Sequence, residues 1–376
     1  MSLRVCLLAN AFYYPEGGGH LWAYLNWALG LRSLGCEVVW LEVVGQGDAT
    51  TELGFAAQLR SRLARYGLAE RLALCRWSGS PLEPRIAAGV LDLEAAADCD
   101  LLLNLAYNAL APEVVARFRR SALVDLDPGL TQLWLSAGQM ELAPHDLYFT
   151  IGEGVGRPGT RIPDCGLRWH HTPPPVALAE WPPTRCEPGA PFTTITHWGG
   201  AEIEIEGRLV ANAKRDGFLP YLDLPRRTAQ PLELALHLDE SEQAERTALA
   251  EHGWRLRSAH AVAATPWDYQ AYIAGSRGEF SCAKPVYVRL GSAWVSDRTV
   301  CYLASAKPAV VEDTGESGFL PRDEGLFRFR NVDKAARQIQ ACAADPGRHG
   351  ARARALAEEH FAANRVLGRV LERAIS

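Results

Sequence analysis

Three consecutive residues, Ser296-Asp297-Arg298, stand where an apolar strand and a turn give way to a helix. Ser is a good helix N-cap and Asp suits a first turn, so capping alone accounts for the first two. Arg in a first turn opposes the helix dipole and needs some other partner. With the main-chain amides of the turn it suits a diphosphate. Lys284 and Arg289 precede this helix and add positive charge, although Arg289 reads more simply as a solvated surface group. One strand later, Glu312-Asp313-Thr314-Gly315 follows the buried run Ala309–Val311. A carboxylate there can take sugar hydroxyls and an amide before Gly can approach a ligand. A polar loop with an Asx-type turn is the alternative.

A second constellation lies near the N-terminus. Gly17-Gly18-Gly19-His20 sits between the first strand and the first helix. Triple Gly permits close ligand approach. His20 at a helix N-terminus has its proton affinity lowered by the dipole, which suits a neutral general base. A surface histidine ending a flexible loop is the alternative. Asp125 and Asp127 form an Asp-x-Asp at a strand exit. Alternation along a strand sends them to opposite faces, so Asp127 is read as facing the site, where it orients His20 or binds acceptor hydroxyls, and Asp125 as structural. In Thr196-His197-Trp198-Gly199-Gly200, Trp198 is either a stacking wall for a ligand or a plug between lobes. Tyr14, with Phe12, Tyr13, Tyr107 and Trp134, supplies rings for an apolar acceptor pocket, while Trp22 and Trp27 fall inside the first helix and read as core. His170 and His171 have no metal-ligand spacing with a Cys or Asp cluster, so no metal site is expected.

The elements that must position these residues alternate. Leu3–Ala9, Cys36–Val44, Asp100–Leu105, Ala122–Leu126 and Leu147–Ile151 read as buried strands, with a helix over Leu21–Leu34. A Pro- and Gly-rich stretch, about Gly156 to Pro191, reads as a linker. A second series follows, with strands at Phe192–Thr196, Leu232–Leu236, Trp254–Arg257, Gly278–Cys282 and Ala309–Val311. Its helices are expected around Asn212–Tyr221, Glu240–His252, Pro266–Ala274, Asp297–Ala306 and Val332–Ala343. Pro346 and Gly347 are expected to break the chain before one long amphipathic helix, Arg348–Ile375. The domains expected are 1–170, a linker at 171–191, 192–345, and a C-terminal helix in 346–376 packing back across both lobes. The fold class is α/β, two doubly wound lobes with a cleft between the carboxyl ends of their strands.

Composition sets the bounds. The chain has 376 residues, 48% apolar and 22% charged, with a net charge of −5, as in ordinary soluble proteins with sizeable cores. There is no basic block, so nucleic-acid binding is disfavoured. No apolar run is long enough to span a membrane, and the N-terminus lacks the pattern of a signal peptide. Nine cysteines without a C-x-x-C fit reduced core thiols and a cytoplasmic location.

At these residues the chain resembles bacterial two-lobed (GT-B type, Leloir) glycosyltransferases. The resemblance is most specific over Trp267–Gly315, in WDYQAYIAGSRGEFSCAK, SDRTVCYLAS and KPAVVEDTG. It is looser in FYYPEGGGH, VDLDPGLTQLW, FTIGEG and YLDLPRRT. It implies two Rossmann-like lobes and metal-independent transfer of a sugar from a nucleoside diphosphate sugar, with a UDP- or TDP-sugar as co-substrate and no bound cofactor. The C-terminal lobe would bind the donor through Lys284, Ser296, Asp297, Arg298, Asp313, Thr314, Gly315 and Trp198. The N-terminal lobe would bind the acceptor at Tyr14, Gly18 and Gly19, with His20 as base and Asp127 beside it. The retaining branch usually shows Glu, seven residues, Glu before the last donor strand. Glu279 has no such second Glu, which leans the reading toward inversion. A nucleotide-sugar epimerase on the same fold, and a degenerate nucleotide-binding relative without turnover, remain as alternatives. Sugar, acceptor and oligomeric state are not legible.

Overall fold

A continuous apolar run such as Val5–Ala9 can be buried on both faces only inside a parallel sheet covered by helices. In the computed structural model, which describes residues 2–45, 47–205, 207–238 and 242–375, that is its place. The strands are β1 (Arg4–Ala9), β2 (Glu37–Val43), β3 (Leu72–Cys75), β4 (Leu101–Asn104), β5 (Ser121–Asp125), β6 (Leu147–Thr150) and β7 (Trp169–His171). They form a seven-stranded sheet ordered β3-β2-β1-β4-β5-β6-β7, parallel throughout.

The second series is β8 (Phe192–His197), β9 (Ile203–Ile205), β10 (Arg208–Val210), β11 (Leu232–His237), β12 (Arg255–Ser258), β13 (Gly278–Ser281), β14 (Ala309–Glu312), β15 (Asp323–Glu324) and β16 (Leu326–Phe329). Its main sheet runs β12-β11-β8-β13-β14-β16-β15, with β9 and β10 as a separate hairpin. Among the described residues, only the short edge strand β15 pairs antiparallel in that main sheet. The strand order reverses between β1 and β4 in one sheet and between β8 and β13 in the other. In such sheets ligands bind beyond the carboxyl ends of the strands at these switch points.

Two compact units result. One comprises Met1–Gly156, Pro163–Ala177 and Ala363–Ser376, the other Arg157–Ile162 and Leu178–Ala362. The Pro-rich stretch is packed rather than open: Val176 and Trp181 are buried, and the Trp181 carbonyl accepts from Arg354 Nη1 at 2.7 Å.

Several sequence expectations need correction. β3, β7, β9, β10, β15 and β16, each two to four residues long, were not anticipated. The helix expected over Asn212–Tyr221 is a turn of α-helix, Lys214–Phe218, running into a 3₁₀ turn, Leu219–Tyr221. The helix expected from Glu240 runs over Gln243–Glu251, and Glu240 itself lies outside the described residues. The break expected at Pro346 and Gly347 falls one residue earlier, at Asp345, between the helices Val332–Ala344 and Pro346–Leu356, and Pro346 itself is helical. It is the first residue of the helix Pro346–Leu356, where its missing N–H costs nothing, and Asp345 caps that helix by accepting from Arg348 N at 3.0 Å.

The long closing helix is in fact two. After a π-helical turn, Ala357–Phe361, Ala362 leaves helical geometry, and the Ala363 amide is diverted to the Val176 carbonyl at 3.0 Å. The last helix, Ala363–Ile375, then belongs to the first unit, where its apolar stripe of Val366, Leu367, Val370 and Leu371 is buried.

Its contact with the first helix, Gly18–Ser33, is close enough that a Cβ on Gly30 would lie 2.5 Å from both Ala363 Cβ and Leu367 Cδ1. Gly30→Ala improves helix propensity yet overpacks this seam. It should lower stability by about 1–3 kcal/mol in urea unfolding. A stabilised variant would show that the seam is loose.

Candidate functional site

In the second unit the helix Asp297–Ala304 begins where β13 and β14 end. Ser296 caps it, its Oγ accepting from the Arg298 amide at 3.1 Å, and donates to Asp297 Oδ1 at 3.3 Å. The Arg298 side chain turns into the unit. Its Nε donates to Glu279 Oε1 at 2.8 Å, Nη1 to the Ile195 carbonyl at 2.9 Å and Nη2 to Ser281 Oγ at 2.6 Å. Glu279 is fully buried. Burial works to lower the Arg298 pKa, but the charge of Glu279, its hydrogen bond to Arg298 and the nearby Tyr269 and Tyr302 together outweigh it, and the guanidinium stays charged. The partner that an Arg in a first turn needs is thus a carboxylate on β13, and Arg298 works as a brace between helix and sheet.

A cation that the sequence did not single out stands beside it. Lys214 is buried, with Nζ donating to the Cys282 carbonyl at 2.6 Å and lying 5.9 Å from the centre of the Trp294 ring. Burial, followed by the charge of Arg298, pushes its pKa down to about 7. Nothing in the string NAKRDG announces this, because the burial is tertiary. Cys282, Trp294, Ser296, Arg298, Glu312 and Thr314 all line one pocket, with about 290 Å³ of space that opens to solvent. Glu312 closes the far side, accepting from Tyr221 Oη at 3.2 Å and from the Ala283 amide at 2.9 Å. Burial raises its pKa.

The other donor-side residues fall as follows. Lys284 is the N-cap residue of the helix Pro285–Leu290. Asp313 makes an Asx-type turn to the Gly315 amide at 3.0 Å, and its other oxygen takes Arg330 Nε at 2.9 Å. Thr314 is tied to the loop before the helix: its Oγ1 donates to the Trp294 carbonyl at 2.8 Å, and its carbonyl accepts from the Ala293 amide at 2.9 Å. Gly315 has φ of 135°, and a Cβ there would lie 2.9 Å from both the Ala293 amide and the Gly291 carbonyl, so only Gly allows this lock. Trp198 is a correction. It is 1% exposed inside the aromatic core of the second unit, beside Phe218, and its indole N–H is bonded to Glu245. It presents no open face to a ligand. A Trp after a strand signals burial and stacking equally well, and burial won.

In the first unit Gly18, Gly19 and His20 form the first turn of the helix Gly18–Ser33, which has no side-chain cap and no acidic residue in its first turn. His20 Nε2 lies 2.6 Å from the Asn10 carbonyl. A carbonyl only accepts, so Nε2 carries a proton, and Nδ1 is the ring nitrogen that a second proton would occupy. The Tyr14 ring leans on the imidazole, centroids 4.2 Å apart. Asp127 accepts from Tyr107 Oη at 2.9 Å. Asp125 is fully buried and accepts from Thr131 Oγ1 at 2.7 Å, Gln132 Nε2 at 2.9 Å and Thr150 Oγ1 at 2.8 Å. Burial raises its pKa to about 6 against those bonds. It fastens the turn that carries Asp127.

The loop that carries Tyr14 is fastened in the same way. Glu42, buried on β2, accepts from the Ala11 amide at 2.9 Å, the Phe12 amide at 3.2 Å and Trp40 Nε1 at 2.9 Å. Burial pushes its pKa up to about 7. The folded state therefore binds a proton that the unfolded chain, titrating near 4.3, has released. This term favours folding below about pH 4 and is lost as pH rises through 7. Between pH 5 and 7.5, wild type should lose stability relative to Glu42→Gln, which cannot titrate. Parallel urea-unfolding profiles for the two proteins would refute the assignment.

Among the described residues no helix is long and apolar enough to cross a membrane, and no group of three or more His, Cys, Asp or Glu is placed to hold a metal ion. Comparison of the sequence with protein-family models and with curated proteins finds no match. Comparison of the structure with solved ones does. HepE of Anabaena, solved with UDP and glucose, matches at a TM-score of 0.58 with 12% identity over 100% of both chains. Sucrose-phosphate synthase of Thermosynechococcus elongatus matches at 0.58 with 10% identity over 99% of both. A glycosyltransferase of Rickettsia africae matches at 0.58 with 10% identity over 99% of this chain and 98% of its own. The likeness runs through both units, and the fold of the chain is that of the two-lobed GT-B type glycosyltransferases.

Proposed function

We propose that this protein is a glycosyltransferase that moves a sugar from a nucleoside diphosphate sugar to an acceptor hydroxyl. The observation that carries the reading is electrostatic. Two buried cations, Arg298 and Lys214, stand with two carboxylates, Glu279 and Glu312, at the N-terminus of the helix Asp297–Ala304 and beside the pocket at the ends of β13 and β14. Cations and first-turn amides gathered at one helix N-terminus favour an anion. HepE, similar over the whole chain, was solved with UDP and glucose at 12% identity, which makes UDP the first nucleotide to try, with TDP second.

In this reading Lys214, Lys284 and the amides after Ser296 take the diphosphate. Arg298 holds the helix in place rather than touching the ligand. Thr314 and Gly315 hold the Gly291–Trp294 loop, and Asp313 faces the sugar end. In the first unit Gly18, Gly19 and Tyr14 receive the acceptor. As the acceptor oxygen forms its bond to the anomeric carbon, its proton passes to His20 Nδ1. The bond from that carbon to the diphosphate breaks, and the electron pair leaves with the diphosphate. Attack from the face opposite the leaving group inverts the anomeric centre. Asp127 lies at the strand exit, where it can bind acceptor hydroxyls.

Two measurements test this. An anion beside Lys214 raises its pKa, so binding above pH 7 takes up a proton. UDP affinity should weaken as pH rises from 7 to 9, and Lys214→Met should both weaken binding by about tenfold and flatten the profile. Absence of any thermal shift with UDP, TDP, GDP, ADP or CDP would sink the donor site. His20→Ala should abolish transfer by about 10²-fold or more and leave the UDP shift intact. Full turnover in that variant would remove His20 from the chemistry, and product formed with no acceptor present would point to an epimerase.

A further inference from the structure

Trp294 stands in the wall of the candidate donor pocket, beside Ser296, Arg298, Glu312 and Thr314. Its place is held firmly. Ala293, the residue before it, has a left-handed φ of 50°, a conformation that is unfavourable by about 1–2 kcal/mol for a residue with a Cβ. Thr314 Oγ1 donates to the Trp294 carbonyl at 2.8 Å, and the Ala293 amide donates to the Thr314 carbonyl at 2.9 Å. The indole ring stacks on Tyr287, with centroids 4.5 Å apart and planes 25° from parallel. Lys214 Nζ lies 5.9 Å from the ring centre.

The indole N–H is what this arrangement leaves over. Among the described residues it is buried and has no acceptor. A buried donor without a partner costs about 1–3 kcal/mol. Other indoles of the chain avoid that cost: those of Trp40, Trp169, Trp198 and Trp254 are bonded to Glu42, the Asp164 carbonyl, Glu245 and the Leu222 carbonyl. An unpaired donor in a pocket wall, close to a cation, suits an anionic oxygen brought by a ligand. The closed part of the pocket has a cavity volume of about 20 Å³, which takes a water-sized group and no ring. A phosphate oxygen has that size, whereas a nucleobase or a sugar ring stays in the open part.

We propose that the Trp294 indole N–H donates a hydrogen bond to a diphosphate oxygen of the bound nucleotide, beside Lys214. The N–H is shielded in the ligand-free protein, and a turn of the ring on Tyr287 brings it to the oxygen. The inference rests on the reading of this pocket as the donor site. It adds the residue by which that site tells a nucleoside diphosphate from a nucleoside.

The test is NMR of protein labelled with ¹⁵N at the tryptophan indoles, titrated with UDP, or with whichever of the five nucleotides gives the thermal shift, and in parallel with the matching nucleoside. The chain has 11 Trp. Trp294→Phe and Trp294→Tyr, which both keep a ring against Tyr287, identify the Trp294 signal by its loss, and retention of the other indole signals shows that the variants are folded. The diphosphate is expected to move the Trp294 signal downfield, as a new hydrogen bond to an anion does, and the nucleoside to leave it in place. Either variant should raise the Kd of the diphosphate by about tenfold, the loss of one charge-assisted bond. A Trp294 signal that stays in place while the nucleotide gives its thermal shift, or an unchanged Kd in both variants, overturns the proposal and leaves the donor site standing. An equal response to the nucleoside overturns it as well, because the contact is then not to the diphosphate. Absence of a thermal shift with every nucleotide removes the donor reading itself, and the proposal with it.

Discussion

The buried ion pair between Arg298 and Glu279 is the constraint on which the candidate donor site depends. Each partner alone would be costly inside a protein, because an unpaired buried charge costs several kcal/mol. Together they join three elements: the first turn of a helix, β13 through Glu279 and Ser281, and β8 through the Ile195 carbonyl. Those strands flank the reversal of strand order in their sheet. The pair therefore sets where the helix N-terminus stands relative to the carboxyl ends of the strands. The other oxygen of Glu279 is buried without a hydrogen bond. The hydrogen-bonded ion pair with Arg298 is therefore what offsets the burial of this carboxylate.

The same device recurs in weaker form. Glu42 on β2 holds the loop after β1, and Asp125 at the end of β5 holds the turn beyond it. Glu312 at the end of β14 holds the Ala283 amide just past β13. In each case a carboxylate at or near a strand end takes main-chain or side-chain donors from a loop at the same end of the sheet. Loops that must present a ligand site cannot be buried without satisfying their amides, and a carboxylate can accept several at once. Burial raises the pKa of all three, so the loops are fastened by groups that still respond to pH.

The alternation of strands and helices was legible because buried parallel strands are continuous apolar runs, as in Val5–Ala9 and Ala309–Val311. Ser296 as a cap was legible for a similar reason: capping is local and needs only the next two residues. Trp22 and Trp27 were read as core from helical spacing, and both are 1% exposed. What failed was whatever depended on more distant residues. Trp198 after a strand looked like a ligand wall and is packed on Phe218 instead. Lys214 gave no local sign, because its neighbours Cys282 and Trp294 are 68 and 80 residues away. The break at Ala362 was invisible because its cause, the Val176 carbonyl, belongs to another part of the chain.

The sequence by itself determined the α/β class, the two series of elements, the polar segments that follow the strands and the residue types available for chemistry. These follow from period, propensity and capping, which act within a few residues. Tertiary structure alone decided the strand order, and with it the two switch points where the loops after β1 and β13 lie. It also turned Arg298 inward onto Glu279 and buried Lys214 until its pKa fell to about 7. Charge state and ligand preference are set by burial and by partners, and both come from parts of the chain that only folding brings together.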